Sequence, residues 1–459
     1  MIRRTLIAEF QRRLGAENVL TEDTDRMTYS YDSAVLEPVI PEVVLRPVNG
    51  EALGRAVRLC NENRIPLTVR GAGTNLSGGT IPSANGAVIV TNGLNRILEI
   101  NEADMYAVVQ PGVVTAKLAA AAESVGLFYP PDPGSQAVST LGGNVSENAG
   151  GLRGLKYGVT RDYVMGIQFF DVNGEPIKTG SRTVKCATGY NLTGLLVGSE
   201  GTLGVFNEII LKLIPLPSHR KAMMAVFTDI NKASETVSAI IADRIIPVTL
   251  EFLDNFTIRA VEEFSRAGLP VDAAALLLIE VDGHPAQVEE DAQKVEAICR
   301  ACSAESVRVA QDDAERDKVW AARRSALSAL AKLKPTLILE DATVPRSRIP
   351  DMVRAIQEIS KEFAVPIGTF GHAGDGNLHP TILTDKRDKE EWTRVEKAID
   401  AIFDRALAMD GTLTGEHGTG IAKSCYLEKE TSPATIVYSK RIKAALDPNN
   451  ILNPGKIFR

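Results

Sequence analysis

Hydrophobic positions recur along the chain with two alternating periods. Near the amino terminus, Ile2, Leu6, Phe10 and Leu14 stand at the spacing of one face of an α-helix. Other segments are rich in β-branched residues or form short apolar runs, which is typical of strands. The predicted helices cover residues 52–63, 115–125, 232–242, 256–267, 287–301, 314–333 and 349–363, and the predicted strands cover 66–70, 87–91, 95–100, 106–110, 164–172, 248–253, 275–281 and 336–343.

Two features of this pattern predict how the chain is organised. The stretch 130–158 is rich in glycine, proline and asparagine and shows no period, and so long a segment in a compact domain is usually functional. The composition shifts at residues 215–218, where we place a domain boundary. The alternating helices and strands that follow this boundary predict a mixed sheet covered by helices.

Composition narrows the class of protein. The 459 residues are 44% hydrophobic and 24% charged, as in soluble globular proteins with more than one domain. A net charge of −7 offers no basic stripe for a phosphodiester backbone, so nucleic acid is not an expected partner. No apolar run approaches the roughly 20 residues that a membrane-spanning helix needs, so no transmembrane segment is predicted. The 5 cysteines are scattered and form no four-cysteine cluster site, which argues against an iron–sulfur cluster and favours a reducing cytoplasm.

Glycine-rich motifs recur in the first half of the chain. The segment 70–79 follows a predicted strand, and its glycines would let the backbone approach an anion closely. It differs from the dinucleotide fingerprint, because Leu76 occupies the place of the third glycine. Such a turn on its own is weak support for a ligand site, since many are purely structural. Three comparable segments follow in order, at 130–135, 140–151 and 198–205.

Histidines mark a second kind of motif. His372 and His379 lie seven residues apart in a glycine-rich segment, and Glu416 and His417 follow downstream. An isolated histidine is usually a structural residue, but small neighbouring residues would allow two imidazoles and a carboxylate to converge. These groups are suitable ligands for zinc and for ferrous or manganous ions, and three protein ligands would leave a coordination position open for a substrate.

Taken in order, these motifs resemble those of a known family. They are similar to the FAD-binding domain of the vanillyl-alcohol oxidase type, and more closely to the group of D-lactate dehydrogenases, D-2-hydroxyglutarate dehydrogenases and glycolate oxidase large subunits. The resemblance covers roughly residues 37–459. It implies an α+β fold with a two-part FAD-binding domain and a mixed-sheet substrate (cap) domain. The implied parts are an N-terminal helical segment at 1–36, the FAD-binding domain at 37–216, the cap domain with the metal histidines at 217–409, and a C-terminal segment at 410–459 that returns to the FAD domain.

The resemblance also implies which residues bind FAD. Some members attach the flavin through a histidine or cysteine near the first loop, but neither occurs in 69–79, so non-covalent binding is expected. Gly204 and Val205 would contact the flavin through their backbone, and Asn453 would lie near its ring. About a third of the glycines are expected to form turns without touching the ligand. The other candidates are Arg70, Gly71, Gly73, Thr74, Asn75, Gly78, Gly79, Pro131, Ser135, Gly142, Gly143, Ser146 and Asn148.

In the same way, the resemblance implies roles at the histidine motifs. His372, His379 and Glu416 match the ligands of one divalent metal, and His417 matches the residue given the role of base. Asn377 stands where a group that orients a ligand or the substrate would be useful. In the chemistry implied, the metal holds a 2-hydroxy acid, the base removes its hydroxyl proton, and the hydrogen on carbon passes to flavin as hydride.

Two positions bear on the substrate. Arg323 matches an arginine of the family's Trp-x-x-Arg motif and would clamp a carboxylate. The alternative is a solvated helix face, which we prefer for the neighbouring Arg324. Members that act on a dicarboxylate carry a lysine two residues before the aspartate that aligns with Asp341, and this chain has Leu339 there. D-lactate or glycolate is therefore favoured, and a substrate of the 2-hydroxyglutarate type remains an alternative.

The function expected is that of an FAD-dependent D-2-hydroxyacid dehydrogenase. Because no cluster cysteines are present, electrons should leave to a separate iron–sulfur subunit, electron-transferring flavoprotein or quinone-linked protein. The expected location is the cytoplasm, or a membrane surface reached through such a partner. Two other functions stay open at this point, namely a non-catalytic flavin subunit that relays electrons and a metal-dependent hydrolase without a redox cofactor.

Overall fold

The structure is a computed structural model that describes residues 2–458. The chain forms two compact units. Unit 1 comprises Met1–Gly150, Val159–Leu216 and Glu416–Arg459, and unit 2 comprises Gly151–Gly158 and Pro217–Gly415.

Helices and strands are both abundant, in agreement with the predicted α+β class. Within residues 2–458, the α-helices are α1 Arg4–Leu14, α2 Asp23–Met27, α3 Gly50–Glu62, α4 Thr115–Glu123, α5 Leu141–Glu147, α6 Gly154–Tyr157, α7 Leu192–Leu196, α8 Ile230–Ala242, α9 Asn255–Ser265, α10 Pro285–Ala301, α11 Asp313–Arg324, α12 Ala326–Ala331, α13 Ile349–Phe363, α14 Lys389–Ala408, α15 Leu427–Glu430 and α16 Pro433–Leu446. The strands in the same residues are β1 Val19–Leu20, β2 Val43–Leu45, β3 Leu67–Arg70, β4 Ala87–Val90, β5 Ile97–Asn101, β6 Tyr106–Val109, β7 Leu127–Phe128, β8 Val164–Phe170, β9 Pro176–Gly180, β10 Val205–Lys212, β11 Ile214–Pro215, β12 His219–Phe227, β13 Thr249–Asp254, β14 Ala275–Gly283, β15 Ser306–Val309, β16 Thr336–Leu339, β17 Ala342–Thr343, β18 Ile367–His372 and β19 Asn377–Thr384.

Unit 1 contains two main sheets. The first has the order β1-β2-β4-β3, and its central strand β4 runs parallel to both β2 and β3. The second has the order β5-β6-β10-β8-β9 and is antiparallel throughout its pairs. Parallel strands need covered faces, and β2 and β4 are accordingly buried along their whole length.

Both ends of the chain pack onto the first sheet. The buried side chains of Phe10 and Leu14 place α1 in the same apolar cluster as α3, which explains the helical spacing at the amino terminus. At the other end, the backbone N–H of Leu67 donates to Ile451 O and the N–H of Asn453 donates to Leu67 O, each at 2.7 Å. The tail therefore extends the edge of β3, immediately before the first glycine loop.

Unit 2 is built on one eight-stranded sheet. Its order is β15-β12-β14-β13-β18-β19-β16, with β17 also paired to β19. All of these pairs are antiparallel, whereas a mixed sheet was predicted here. β12 and β13, which α8 connects, run in the same direction. β14 lies between them and runs in the opposite direction, so each neighbouring pair is antiparallel. Local helix and strand signals do not reveal such an insertion.

Both faces of this sheet are buried. Alternate residues of β12, β13 and β14 enter two separate apolar clusters, one of them covered by α8, α10, α13 and α14 and the other by α9, α11 and α12. This burial on both sides explains the continuous apolar run in β14, from Ala275 to Ile279. The sheet is consequently a rigid base for polar side chains on β13, β18 and β19.

Three segments differ from the local prediction. The non-periodic stretch 130–158 contains α5, whose Leu141 and Val145 are buried. The predicted helix 314–333 is two helices, because Ser325 binds back to Ala322 O at 2.7 Å and interrupts the turn. The predicted strand 336–343 is divided into β16 and β17, since Pro380 on the neighbouring strand lacks the N–H that would continue the ladder.

Candidate active site

The first glycine loop of unit 1 is organised around a buried carboxylate. Asp32 accepts hydrogen bonds from Asn75 Nδ2 at 2.7 Å and from the Thr80 N–H at 3.3 Å, and burial raises the pKa of this carboxyl above its usual range. Arg70 donates through Nη1 to the carbonyl of Tyr31. Gly73 and Gly78 adopt φ angles of +72° and +77°, values that favour glycine. The predicted residues Arg70 and Asn75 therefore have structural partners inside the unit.

The second motif packs directly against the first. Thr140 caps α5 by accepting from the Gly143 N–H at 3.4 Å. A Cβ atom on Gly71 would stand 2.1 Å from Thr140 Oγ1, and one on Gly142 would stand 2.6 Å from Pro111 Cβ. Gly71 is thus required for close packing of the two segments, and Gly142 is required for close packing against Pro111.

Asn453 joins three predicted motifs. Its Nδ2 donates to Gly79 O at 2.9 Å and to Glu200 O at 2.7 Å, and its Oδ1 accepts from Thr68 Oγ1 at 3.1 Å. The side chain is 2% exposed, so these bonds are shielded from water. The tail, the first loop and the segment 198–205 are therefore held together at one point.

Two glutamates that the sequence analysis missed lie among these loops. Glu200 accepts from the Thr419 and Gly420 N–H groups, each at 2.7 Å, and burial raises its pKa to about 7. Burial and the charge of Glu200 raise the pKa of Glu147 well above its usual range. A Cβ on Gly418 would stand 2.0 Å from Glu147 Oε2, so the loop 416–420 packs on this pair. The sequence signals that could have identified these two glutamates are the Ser-Glu pair at 146–147 and the Gly-Ser-Glu run at 198–200.

The remaining residues predicted to bind FAD also belong to unit 1. The backbone carbonyl of Ser146 accepts from the Glu200 N–H at 2.9 Å, and Asn148 adopts a left-handed φ of 55° at the end of α5. Ser135 O accepts from two N–H groups of the following turn, while Pro131 is buried. A Cβ on Gly204 would meet the Phe169 ring at 2.4 Å, and Val205 is fully buried at the start of β10. Thr74 lies in the first loop and is half-buried.

Unit 1 also shows features of a ligand cradle. Among residues 2–458, the buried atoms Ser199 Oγ and Glu147 Oε2 have no hydrogen-bond partner in the protein. Gly198 and Gly201 adopt φ angles of +77° and +70°, and their nearest neighbours to a Cβ lie no closer than 3.5 Å. Buried polar groups beside open glycine backbone fit a polar cofactor better than a closed protein core.

Unit 2 holds the two predicted metal histidines on a hairpin. In the register of β18 and β19, His372 is opposite Asn377 and Phe370 is opposite His379. The imidazole centroids lie 5.0 Å apart at an interplanar angle of 90°, and each ring offers a ligand nitrogen within 4.8 Å of the other. Gly376 makes the turn possible, because its φ is +98° and a Cβ there would stand 2.1 Å from Val344 O.

A third group, Glu251 on β13, completes this cluster. Its Oε1 accepts from His372 Nδ1 at 2.6 Å, and its Oε2 accepts from Arg323 Nε at 2.7 Å. Glu251 is 0% exposed and Arg323 is 6% exposed. Although burial opposes ionisation, the charge of Arg323 and the hydrogen bond from His372 hold the pKa of Glu251 below its usual range. The only sequence signal was a glutamate within an otherwise apolar strand.

Arg323 is not on a solvated helix face. Its guanidinium pairs with Glu251 and lies over the ring of Phe370, with Cζ 4.7 Å from the centroid. Arg323 therefore already has a carboxylate partner inside the protein, and a substrate carboxylate would be a second one.

The second histidine and Asn377 have their own surroundings. His379 Nδ1 lies 3.9 Å from Asp341 Oδ1, and Asp341 Oδ2 accepts from Thr414 Oγ1 at 2.7 Å. Within the described residues, the buried atoms Asn377 Oδ1 and Thr343 Oγ1 make no hydrogen bond. Unsatisfied buried oxygens of this kind suit a bound polar ligand.

Glu416 and His417 belong to unit 1. Glu416 lies against Gly150, where a Cβ would stand 2.5 Å from Glu416 Oε2. Both residues are half-buried. The residue before them, Gly415, is the last of unit 2, and a Cβ on it would stand 2.4 Å from Thr343 Oγ1 and 2.8 Å from Asn377 Nδ2. Across residues 2–458, none of the helices has both the length and the apolar character needed to cross a membrane.

Comparisons with known proteins agree with this description. Residues 41–180 match the model of an FAD binding domain, and residues 216–457 match that of the C-terminal domain of FAD linked oxidases. The glycolate oxidase subunit GlcD of Bacillus subtilis (strain 168) is 52% identical over 97% of this chain and 94% of its own length. A D-lactate dehydrogenase of Anaerostipes hadrus is 34% identical over 97% of this chain and 96% of its own.

The fold is shared with a protein of solved structure. The structure of p-cresol methylhydroxylase with bound substrate superposes with a TM-score of 0.82 at 18% identity, covering 99% of this chain and 96% of that one. Fold and sequence together confirm the predicted resemblance to the vanillyl-alcohol oxidase type and to its hydroxyacid-oxidising members. The FAD-binding domain also argues against a hydrolase without a redox cofactor. This chain is a member of the FAD-linked oxidase family and an FAD-binding oxidoreductase.

Proposed function

We propose that this protein oxidises glycolate or D-lactate to the 2-oxo acid, using FAD and one divalent metal, and passes the electrons to a separate protein. The observation that carries the proposal is the pair His372 and His379, set 5.0 Å apart on a rigid hairpin in a chain that also has an FAD-binding domain. A subunit that only relays electrons has no use for such a pair.

The metal would be held by His372, His379 and Glu416. Two imidazoles and a carboxylate suit zinc, iron or manganese. The Nδ1 atom of His372 faces Glu251, so Nε2 is the nitrogen that would bind an ion. Glu416 follows directly on Gly415, which packs against Asn377 of the same hairpin. When bound, the ion supplies a positive charge that favours the ionised form of a hydroxyl group.

FAD would be held, without a covalent bond, by the glycine loops of unit 1 and by Asn453. The open backbone at Gly198 and Gly201 and the unpaired Ser199 Oγ support this position. The segment 69–79 contains no histidine or cysteine that could form a covalent link. When bound, the flavin is the two-electron acceptor of the reaction.

His417 would accept the hydroxyl proton of the substrate. Neutral imidazole can accept a proton, and histidine is the side chain that most often acts as a general base. Asn377 would orient the substrate, because its buried Oδ1 has no hydrogen bond within residues 2–458. Arg323 could contribute its positive charge to the substrate carboxylate, in addition to the bonds it makes with Glu251.

The position of Leu339 supports a small substrate. Leu339 on β16 pairs with Thr381 on β19, two residues beyond His379. An apolar side chain there offers no cation for a second carboxylate, so a substrate of the 2-hydroxyglutarate type is disfavoured. The glycolate oxidase subunit and the D-lactate dehydrogenase among the relatives support the smaller acids.

Anaerobic reduction of the FAD-loaded protein tests the proposal. Glycolate, D-lactate, L-lactate and D-2-hydroxyglutarate are added separately, and flavin absorbance is followed while metal content is measured on the same sample. We expect glycolate or D-lactate to bleach the flavin fastest and a chelator to abolish that reduction. Bound flavin that none of these acids reduces would instead favour the electron-relay alternative. Turnover with oxygen alone, as fast as with a dye acceptor, would contradict a separate protein acceptor.

A further inference from the structure

From the geometry of β13 and β18 we infer that Glu251 is a positioning residue of the metal centre. It fixes His372 in the tautomer that presents Nε2 as a ligand, and Arg323 balances its charge. This inference rests on the metal site proposed above and adds to it a group that holds one of the ligands.

The contacts of Glu251 are specific to its two oxygens. Oε1 faces His372 Nδ1 at 2.6 Å, and Oε2 faces Arg323 Nε at 2.7 Å. An ionised carboxylate can only accept hydrogen bonds, so His372 must carry its proton on Nδ1. Neutral imidazole then has its lone pair on Nε2, which is the form that binds a metal ion.

Burial makes this arrangement depend on Arg323. Glu251 is completely buried, and an isolated ionised carboxylate would be very costly there. Arg323 is nearly as buried and supplies the compensating charge. The pair adds no net charge beside the histidines, so Arg323 does not present an uncompensated positive charge to a bound dication.

The Glu251–Arg323 pair also supports His379, through the packing of Arg323 on Phe370. The Arg323 guanidinium lies over the Phe370 ring, and the Phe370 and His379 ring centroids are 5.5 Å apart. Phe370 and His379 are also opposite each other in the β18–β19 register. Glu251 therefore orients His372 by a hydrogen bond, and Arg323 supports the ring that lies against His379.

Replacement of Glu251 by glutamine gives a specific expectation. The amide has one accepting oxygen, and Arg323 can only donate, so that oxygen should turn to Arg323. The amide NH₂ then faces His372 Nδ1 and favours the tautomer with the proton on Nε2. That tautomer cannot bind a metal ion through Nε2 without first giving up its proton. We expect Glu251→Gln to weaken zinc binding by about 10- to 100-fold.

A double variant provides the rescue. In Glu251→Gln/Arg323→Met no cation competes for the amide oxygen, which can turn back to His372 and restore the proton on Nδ1. Methionine can still fill the space over Phe370. The double variant should therefore bind zinc more tightly than the single variant. A residue that mattered only for stability would show the opposite order.

Glu280→Gln is the matched control. Glu280 is also a buried strand glutamate, on the neighbouring β14, and it accepts from Trp320 Nε1 at 2.6 Å. Among the described residues, Glu280 makes no hydrogen bond to His372 or His379. We expect this variant to bind zinc within about twofold of the parent protein, because the metal ligands keep their orientation.

The experiment measures two quantities on FAD-loaded, metal-stripped protein. The tautomer of His372 is read from ¹⁵N-histidine NMR spectra at pH 8, assigned by difference with His372→Gln, and zinc affinity is measured by competition with a chelator. The inference is overturned if Glu251→Gln keeps the proton on Nδ1, or if its zinc affinity equals that of Glu280→Gln. If the parent protein shows the Nδ1-protonated tautomer but binds no zinc, iron or manganese, the metal site of the proposed function fails while the orientation of His372 by Glu251 stands.

Discussion

Replacement of Asn453 tests whether the C-terminal tail holds the glycine loops of unit 1 in place. The side chain makes three buried hydrogen bonds, with Gly79 O, Glu200 O and Thr68 Oγ1. Asn453 also has a left-handed φ of 43°, a conformation that asparagine tolerates better than most residues. Asn453→Ala removes the side-chain hydrogen bonds. It also places alanine in the left-handed conformation, which its Cβ atom makes unfavourable.

The magnitude follows from these contacts. Each buried polar group that loses its partner costs about 1 to 3 kcal/mol. Water can enter the space left by the amide, so we take the lower end, about 1 kcal/mol for each of the three groups. The left-handed backbone adds about 1 kcal/mol for alanine. The expected loss is therefore about 4 kcal/mol for Asn453→Ala and about 3 kcal/mol for Asn453→Gly, which keeps the backbone relaxed.

Urea unfolding of the FAD-loaded protein, monitored by flavin fluorescence, measures the loss in the free energy of unfolding of unit 1. Asn449→Ala is the control, since Asn449 is exposed and its amide donates to Asn61 Oδ1 in an exposed hydrogen bond of 2.8 Å. That change should stay within about 0.5 kcal/mol of the parent protein. An Asn453→Ala protein that unfolds with the same free energy as Asn449→Ala would refute the reasoning.

Three further predictions concern the histidine hairpin and the buried glutamates. His379→Ala should lose metal and turnover but keep FAD, because the FAD candidates lie in other loops; metal and flavin analysis checks this, and retained turnover would contradict the ligand assignment. Gly376→Ala should abolish metal binding, since the φ of Gly376 is +98° and a Cβ would stand 2.1 Å from Val344 O. Gly268→Ala is the control, because Gly268 has a φ of +82° but no atom lies within 4 Å of its Cβ position. The control should cost only about 1 kcal/mol of stability and leave metal binding intact. Burial and Glu200 raise the pKa of Glu147 above its ordinary 4.5, so the native state favours the protonated form and the parent protein should lose stability relative to Glu147→Gln as the pH rises from about 5 to 8. Urea midpoints at both pH values test this, and a difference that does not change with pH would count against it.

The amino-acid sequence was sufficient for the features that short segments encode. The glycine motifs, the histidines of 372–379 and the pair Glu416 and His417 were recognisable because each motif is contiguous. The α+β class followed from the family resemblance that these motifs carry, and local hydrophobic periods placed individual helices and strands. The buried positions Phe10 and Leu14 of α1 illustrate this, since their spacing alone assigned them to one helix face.

The arrangement of the sheet in unit 2 was beyond such signals. The sequence pattern predicted β13, β14 and the segment of β16 and β17, but not β12, β15, β18 or β19. The insertion of β14 between β12 and β13 made every pair antiparallel instead of mixed. Strand order depends on contacts between segments far apart in the chain, which no local period records. The break between β16 and β17 likewise depends on Pro380 in a strand about 40 residues later.

Tertiary structure alone decided the partners of the site residues. Glu251 and His372 are separated by 121 positions in the chain, and Glu251 and Arg323 by 72, yet they form one buried cluster. In the sequence, Glu251 was a glutamate in a largely apolar predicted strand, and Arg323 was a candidate clamp for a substrate carboxylate. A side chain's type fixes which bonds it can form, whereas burial and long-range packing fix which of those bonds it makes. The sequence therefore determined the chemical groups available to this protein, and only the fold determined which of them act together.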